Sequence, residues 1–431
     1  NLSTKGIQMR ILPLLVLLLL PISSLASSPE TTENLSYGHS FQVYSEQFEA
    51  NRRYSISLPE RYYLDERTYP TLYVVDADFQ FHHVANVTRH LARMGKLPPM
   101  IVVGVATHGN ADYLMSTTWT AKDNEEFSTD EFGGVATFSR FLNQELVPHI
   151  DKSFRTNEQK ALAGYSLGGL YVLQSFLDAK TPFNAFLAMS PSVWYDDYSL
   201  VETFKQKLAN QRIDAPLFVS LADEKGMGVT ELVATLNAAK NQIPNWQFKH
   251  YPEESHYTTA LPALYDGLKF LAPNHFVGIG QLMAQPDYKA ALQLFEPNKK
   301  SWAGFHFGWL QSYTFAKYVF ASKQSDKIDH ILADIKLAFP DSFNQVSIDL
   351  ALGFNRKGLH QKAKLLLESV TKQAEHLPHW HYQLSLAEHA LGNDEKAKVA
   401  HEKALSLAKS AKLESWEIWE MEPNKYANSA K

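Results

Sequence analysis

The chain of 431 residues contains no cysteine. This absence excludes disulfide bonds, thiolate catalysis and a cysteine-linked lipid anchor, so we expect the fold to depend on its hydrophobic core alone. The sequence also lacks a basic excess: 41 Lys and Arg stand against 46 Asp and Glu, for a formal net charge of -5, and no long Lys- or Arg-dense block occurs. The composition therefore argues against nucleic-acid binding.

A strongly apolar run begins two residues after Met9. It reads ILPLLVLLLL (residues 11–20), and Ser24 and Ala26 then supply small residues at positions -3 and -1 of a cut before Ser27. The run is short for a membrane span and is typical of a secretory signal peptide, with an uncleaved anchor as the alternative. We therefore expect Met9 to be the true start, residues 1–26 to comprise upstream residues and the signal peptide, and the mature protein to be periplasmic or secreted, with no stable membrane span.

Short apolar runs alternate with segments of helical spacing between residues 39 and 275. The runs rich in Val, Ile and Tyr include PTLYVVD at 70–76, MIVVGVA at 100–106 and PLFVSLA at 216–222. This alternation predicts an α/β fold with a mostly parallel central sheet that helices cover on both faces. Further strands are expected at 39–46, 52–58, 161–164, 186–189 and 247–251, and helices at 79–93, 133–149, 170–177, 228–242 and 258–271.

From about residue 276 the strand signals vanish and the chain has a helical pattern. Two segments, GLHQKA from Gly358 and GNDEKA from Gly392, begin 34 residues apart, which is the period of tetratricopeptide repeats. The spacing predicts an all-α, tetratricopeptide-like domain over 276–420, followed by a tail at 421–431. Degenerate copies around 313–340 and 285–297 would complete the stack, and a non-repeating helical bundle is the alternative. Such repeats could bind a protein partner.

One serine stands between glycines directly after a predicted strand, in the sequence AGYSLGG at 163–169. The pattern G-x-S-x-G around Ser166 is that of a nucleophile elbow, in which a strand turns sharply into a helix and holds the serine on a strained backbone. A serine hydroxyl is a weak nucleophile, so it needs a base, and the base needs a third group that fixes its tautomer. His256, in a polar loop after the last strand, is the candidate base. Asp223 and its neighbour Glu224, at the end of strand 216–222, are the candidate acids.

Several stretches taken together resemble the esterase family of α/β-hydrolases that includes enterochelin esterases, esterase D-type enzymes and mycolyltransferases. They span about residues 35–272 and include YPTLYVVDA at 69–77, LAGYSLGG at 162–169 and MSPSVW at 189–194. The resemblance implies an α/β-hydrolase fold with a nucleophile, acid and base in the chain order Ser166, Asp223, His256. A glycine often found near the acid is Ser220 here, and the adjacent Glu224 remains an alternative acid.

Acyl transfer also needs donors for the developing oxyanion, and these are normally backbone amides. The amide of Leu167, directly after the nucleophile, is the first expected donor. The second is expected in the loop after the third strand, from Ala77 or Asp78.

The sequence thus predicts an α/β-hydrolase domain at 27–275 that cleaves a small-molecule carboxylic ester through an acyl-serine intermediate. An acyltransferase with the same triad, and an inactive hydrolase domain that supports a repeat scaffold, are the alternatives. Siderophore, short acyl and cell-envelope esters all remain open as substrates. No cofactor or metal is expected, because histidines at 82, 83, 376, 379 and 381 lack metal-ligand spacing and are interpreted as solvated.

Overall fold

The computed structural model describes residues 36–121 and 129–422. The predicted signal peptide at 1–26 and most of the predicted tail at 421–431 lie outside the described residues. Among the residues that are described, no helix is both long enough and apolar enough to cross a membrane. From Tyr37 onward the described residues form one compact unit, so the boundary expected near residue 275 stays a prediction.

An eight-stranded sheet forms the centre of the N-terminal part. Its order is β1-β2-β4-β3-β5-β6-β7-β8. The β1–β2 and β2–β4 pairs are antiparallel, and every other pair is parallel. The strands are β1 (His39–Ser45), β2 (Ala50–Ser57), β3 (Tyr69–Val75), β4 (Ile101–Val105), β5 (Thr156–Tyr165), β6 (Ala185–Met189), β7 (Leu217–Ala222) and β8 (Trp246–Tyr251).

Helices cover both faces of this sheet, as the sequence predicted. Strands β3, β4 and β7 are buried along their whole length, which is why their sequences are nearly continuous apolar runs rather than alternating ones. Helices α1 and α8 pack on one face, and α3 to α7 pack on the other. The helices of this part are α1 (Ala77–Arg93), α2 (Asn110–Thr117), α3 (Val135–Arg140), α4 (Val147–Ser153), α5 (Leu167–Phe176), α6 (Ser199–Asn210), α7 (Val229–Ala238) and α8 (Ala260–Leu271).

The described residues after α8 are all helix, turn or loop. Gly358 and Gly392 both have positive φ angles, 70° and 78°, and each sits in the turn between two packed helices, α14 with α15 and α17 with α18. Both turns lie at the glycines from which the repeat pattern was read. The tetratricopeptide assignment itself stays a prediction. The helices are α9 (Ile279–Met283), α10 (Tyr288–Gln293), α11 (Glu296–Ser301), α12 (Trp309–Ala321), α13 (Ile328–Ala338), α14 (Phe343–Arg356), α15 (His360–Ser369), α16 (Thr371–Ala374), α17 (Pro378–Ala390), α18 (Asp394–Ser410) and α19 (Ser415–Met421).

The helical part attaches to the sheet at the amino ends of its central strands. Gln159, early in β5, donates a hydrogen bond to the carbonyl of Ser301 at 2.7 Å and accepts one from the amide of Ala303 at 2.8 Å. Trp302 between them is 8% exposed and belongs to the core between the sheet and helices α1 and α8. The two parts therefore share apolar core at this edge.

Candidate active site

The predicted elbow has the geometry that its sequence pattern indicates. Ser166 lies between β5 and α5 with φ 59° and ψ -121°, a backbone conformation that non-glycine residues rarely adopt. Hydrogen bonds hold it there: its amide donates to the carbonyl of Met189 at 3.0 Å, and its carbonyl accepts from the amide of Leu170 at 3.0 Å. A Cβ at Gly164 would lie 2.2 Å from the carbonyl oxygen of Gly168. The first glycine of the motif therefore allows the strand and helix to approach this closely.

Three polar side chains form a hydrogen-bonded row at the carboxyl edge of the sheet. Ser166 Oγ lies 3.0 Å from His256 Nε2, and His256 Nδ1 lies 2.7 Å from Glu224 Oε2. An ionised carboxylate can only accept hydrogen bonds, so Nδ1 of the imidazole carries the proton and Nε2 presents its lone pair to the serine hydroxyl. The row can thus move a proton from Ser166 to His256.

The structure places Glu224, and not Asp223, against the imidazole. The Glu224 side chain is 8% exposed, and its other oxygen, Oε1, accepts from the amide of Ala222 at 3.3 Å. Asp223 is exposed, and its amide donates to the carbonyl of Glu254. The chain turns sharply after β7, so two consecutive residues point in different directions. Of the two candidate acids, the structure thus brings Glu224 to the imidazole and leaves Asp223 at the surface.

The two expected sources of oxyanion donors lie at helix N-termini beside each other. Leu167 is the first residue of α5 and Ala77 the first of α1, and β3 and β5, which precede them, are neighbouring parallel strands. Amides in the first turn of a helix have no acceptor within the helix, so they are available to an anion. Asp78 instead uses its carboxylate to accept from the amides of Thr107 at 3.1 Å and His108 at 3.0 Å. This pairing fixes the loop from which the second donor is expected.

A half-buried carboxyl also lies at this edge. Asp76 follows β3 in a left-handed conformation, φ 59°, and its Oδ1 accepts from the Thr107 hydroxyl at 3.1 Å. Burial raises the pKa of Asp76 to about 6, although the Thr107 hydrogen bond opposes that rise. The site thus holds a carboxyl that is partly protonated in mildly acidic solution, close to the expected oxyanion position.

Two residues at the site were not predicted from the sequence. Tyr113 in α2 donates to the carbonyl of Tyr165 at 2.8 Å and accepts from the amide of Gly168 at 2.8 Å, so its hydroxyl joins the backbone on both sides of the nucleophile. Burial raises the pKa of Tyr113, which keeps the phenol protonated. Ser192, in the loop after β6, places its Oγ 3.2 Å from Ser166 Oγ. Ser192 could have been found from the sequence, because it is a polar residue shortly after the end of a strand. No sequence pattern identifies Tyr113.

In the part of the chain that the structure describes, no cluster of three or more His, Cys, Asp or Glu could hold a metal ion. His379 was expected to be solvated, but its side chain is 20% exposed and its Nε2 lies 3.2 Å from Glu417. His381 Nε2 lies 2.8 Å from the carbonyl of Glu375. His83 is half-buried, whereas His82 and His376 are exposed.

A cavity of about 570 Å³ lies elsewhere in the molecule, at the amino end of β3. Residues of both parts line it, among them Arg61, Arg67, His306 and Trp309. The row Ser166–His256–Glu224 lies at the opposite, carboxyl edge of the sheet. Ligands of parallel sheets bind at the carboxyl ends of the strands, so the row at Ser166, and not this cavity, is the candidate active site.

Comparison with known proteins gives a matching family and several relatives. The model of a family described as "Putative esterase" matches residues 45–255. The uncharacterized protein YbbA of Bacillus subtilis is 25% identical over 187 residues, which cover 42% of this chain and 72% of YbbA. The ferri-bacillibactin esterase BesA of the same organism is 27% identical over 171 residues, which cover 36% of this chain and 58% of BesA.

A solved structure supports the fold assignment. The IroE-like serine hydrolase from Shewanella oneidensis is 22% identical, with a TM-score of 0.59, and the match covers 70% of this chain and 99% of that one. At this identity the likeness shows an α/β-hydrolase fold. The family model and the esterase relatives support a carboxylic ester hydrolase, as predicted from the sequence.

Proposed function

We propose that the chain is a serine esterase with Ser166 as nucleophile, His256 as base and Glu224 as acid, since the model of an esterase family matches residues 45–255. One observation carries the proposal: the row Ser166–His256–Glu224, with contacts of 3.0 and 2.7 Å at the carboxyl edge of a parallel sheet. The strained elbow supports it, because such strain persists where the surrounding structure holds it and is common at active sites.

The proposed reaction has two steps. His256 Nε2 takes the proton of Ser166 while Oγ bonds to the ester carbonyl carbon, and the charge on the carbonyl oxygen is received by the amide of Leu167 and that of Ala77 or Asp78. The tetrahedral intermediate collapses as His256 returns the proton to the departing alcohol. Water then attacks the acyl-enzyme with His256 as base again, and Ser166 is released with the carboxylic acid.

Glu224 has two tasks in this scheme. It holds the imidazole in the tautomer that leaves Nε2 free, and its charge stabilises the imidazolium that forms in each step. Its low exposure strengthens the second task, because a charge screened less by water interacts more strongly with its neighbour.

We propose a small-molecule ester as the substrate, with siderophore esters as the first class to test, since the relative BesA is named as a ferri-bacillibactin esterase. Short acyl and cell-envelope esters are the competing classes. We also propose that the protein is exported to the periplasm or secreted. A protein partner would bind to its helical part.

Ser166→Ala tests the mechanism directly. The variant should lose about three orders of magnitude or more in kcat on p-nitrophenyl esters, because the hydroxyl performs the covalent step. A fluorophosphonate should label the wild-type protein on the peptide that contains Ser166 and should leave the variant unlabelled. Circular dichroism provides the folding control. Normal turnover by the variant, or labelling at another serine, would overturn the assignment.

A further inference from the structure

A second hydroxyl lies beside the proposed nucleophile. Ser192 Oγ is 3.2 Å from Ser166 Oγ, a distance at which either group can be the donor. Ser192 is 2% exposed, so the surrounding protein fixes the position of its hydroxyl beside Ser166.

The segment from Met189 to Ser192 holds Ser166 by its backbone as well. The carbonyl of Met189 accepts from the amide of Ser166 at 3.0 Å, and the amide of Ser192 donates to the carbonyl of Ser166 at 3.0 Å. The segment also packs tightly against α5, since a Cβ at Gly169 would lie 3.1 Å from Pro191. Two backbone contacts thus fix the geometry between the two hydroxyl groups.

The pairing of His256 determines which hydroxyl donates. Glu224 accepts the Nδ1 proton of His256, so Nε2 is an acceptor and takes the hydrogen bond of the Ser166 hydroxyl. Ser166 has one proton, which this bond uses. The hydrogen between the two serines must then come from Ser192, and it points at a lone pair of Ser166 Oγ.

We propose that Ser192 is a further catalytic residue, whose hydroxyl donates to Ser166 Oγ and orients the lone pair that attacks the substrate. The proposal rests on the proposed function of Ser166. As His256 takes the Ser166 proton, negative charge grows on Oγ and the hydrogen bond from Ser192 strengthens. Ser192 keeps its own proton, and none of its covalent bonds breaks. In the second step the same donor stabilises Oγ as it leaves the acyl group.

Ser192→Ala tests the proposal, with Ser190→Ala as the matched control. Ser190 lies in the same loop, is fully buried, and its hydroxyl has no hydrogen-bond partner among the described residues. We expect Ser192→Ala to lower kcat on p-nitrophenyl acetate about tenfold, the effect of one hydrogen bond. The rate of fluorophosphonate labelling should fall by the same factor, with KM within about twofold. Ser190→Ala should keep the wild-type rates.

The outcomes separate three explanations. Wild-type rates in Ser192→Ala would remove Ser192 from the reaction, and a faster variant would mean that its hydroxyl competes with His256 for the Ser166 proton. An equal loss in both variants would assign the effect to loop packing. If Ser192→Ala does not fold, Ser192→Gly removes the same hydroxyl and is judged in the same way. Labelling that survives Ser166→Ala would instead refute the proposed function, before Ser192 is considered.

Discussion

Replacing the two neighbouring acids one at a time measures which of them acts on His256. In Glu224→Gln the amide can donate to Nδ1, which moves the imidazole proton to Nε2 and prevents Nε2 from accepting the Ser166 proton. If the amide oxygen faces Nδ1 instead, the tautomer is kept but the charge that stabilises the imidazolium is lost. Asp223→Asn makes the same chemical change one residue earlier, at an exposed side chain.

The size of the effect follows from the geometry of the pair. Unit charges about 4 Å apart attract by about 4 kcal/mol at an effective dielectric constant near 20, and each 1.36 kcal/mol is a factor of ten in rate. We therefore expect Glu224→Gln to lower kcat/KM about 10³-fold and Asp223→Asn to change it less than about twofold, because water screens an exposed charge. Turnover of p-nitrophenyl acetate measures both, with circular dichroism as the folding control. The reverse ranking would return the acid to Asp223, and small effects in both would mean that His256 works without a carboxylate.

Three further predictions concern the stability of the fold. Gly164→Ala should unfold at a much lower temperature than wild type, because the added Cβ would lie 2.2 Å from a backbone oxygen. Gly280→Ala is the control and should melt like wild type, because nothing lies within 4 Å of its added Cβ. Equal melting temperatures for the two variants would contradict this prediction. Burial would raise the pKa of Glu417, but Arg61 and His379 outweigh it and lower that pKa from 4.5 to about 2. Urea melts should therefore show Glu417→Gln destabilised by roughly 3 kcal/mol at pH 7, and the difference should shrink as pH falls from 4.5 towards 2; a constant difference would refute the pairing. A chain ending near Pro273 loses Trp302 from the shared core, so it should melt at a lower temperature than the full chain. Its rate of p-nitrophenyl acetate hydrolysis, expressed per folded molecule, should stay the same. A folded but inactive product would show that the helical part completes the site.

The sheet could be predicted from sequence because buried parallel strands carry a strong compositional signal. The runs at 70–76, 100–106 and 216–222 overlap β3, β4 and β7, and each is flanked by a helical pattern. Strand β5 was predicted only at 161–164, although it runs from Thr156 to Tyr165, because its first residues, TNEQK, are polar and resemble a loop. The core positions were therefore recognised, and the polar extension was not.

Candidate site residues could be predicted from the sequence where they follow the end of a strand. They could not be predicted where the choice depends on the direction in which a side chain points. Ser166 and His256 stand at such ends, and the sequence indicated both. The choice between Asp223 and Glu224 depends on the turn after β7, which sends one side chain to His256 and the other to the surface. Tyr113 reaches the elbow from α2, so only tertiary packing brings it there.

The position of the helical part limits how it can influence the chemistry. Its contact with β5 is at Gln159, seven residues before Ser166, and a strand rises about 3.3 Å per residue, so this contact lies roughly 23 Å from the nucleophile. The ion pair between Arg61 and Glu417, at 2.6 Å, joins the parts through the chain that precedes β3, at the same edge. Through these contacts the helical part cannot touch an ester at Ser166. What it can change is the stability of the strands that carry the elbow, because Trp302 completes the core beneath α1 and α8. Mutations at this junction should therefore lower the fraction of folded enzyme, while kcat per folded molecule stays the same.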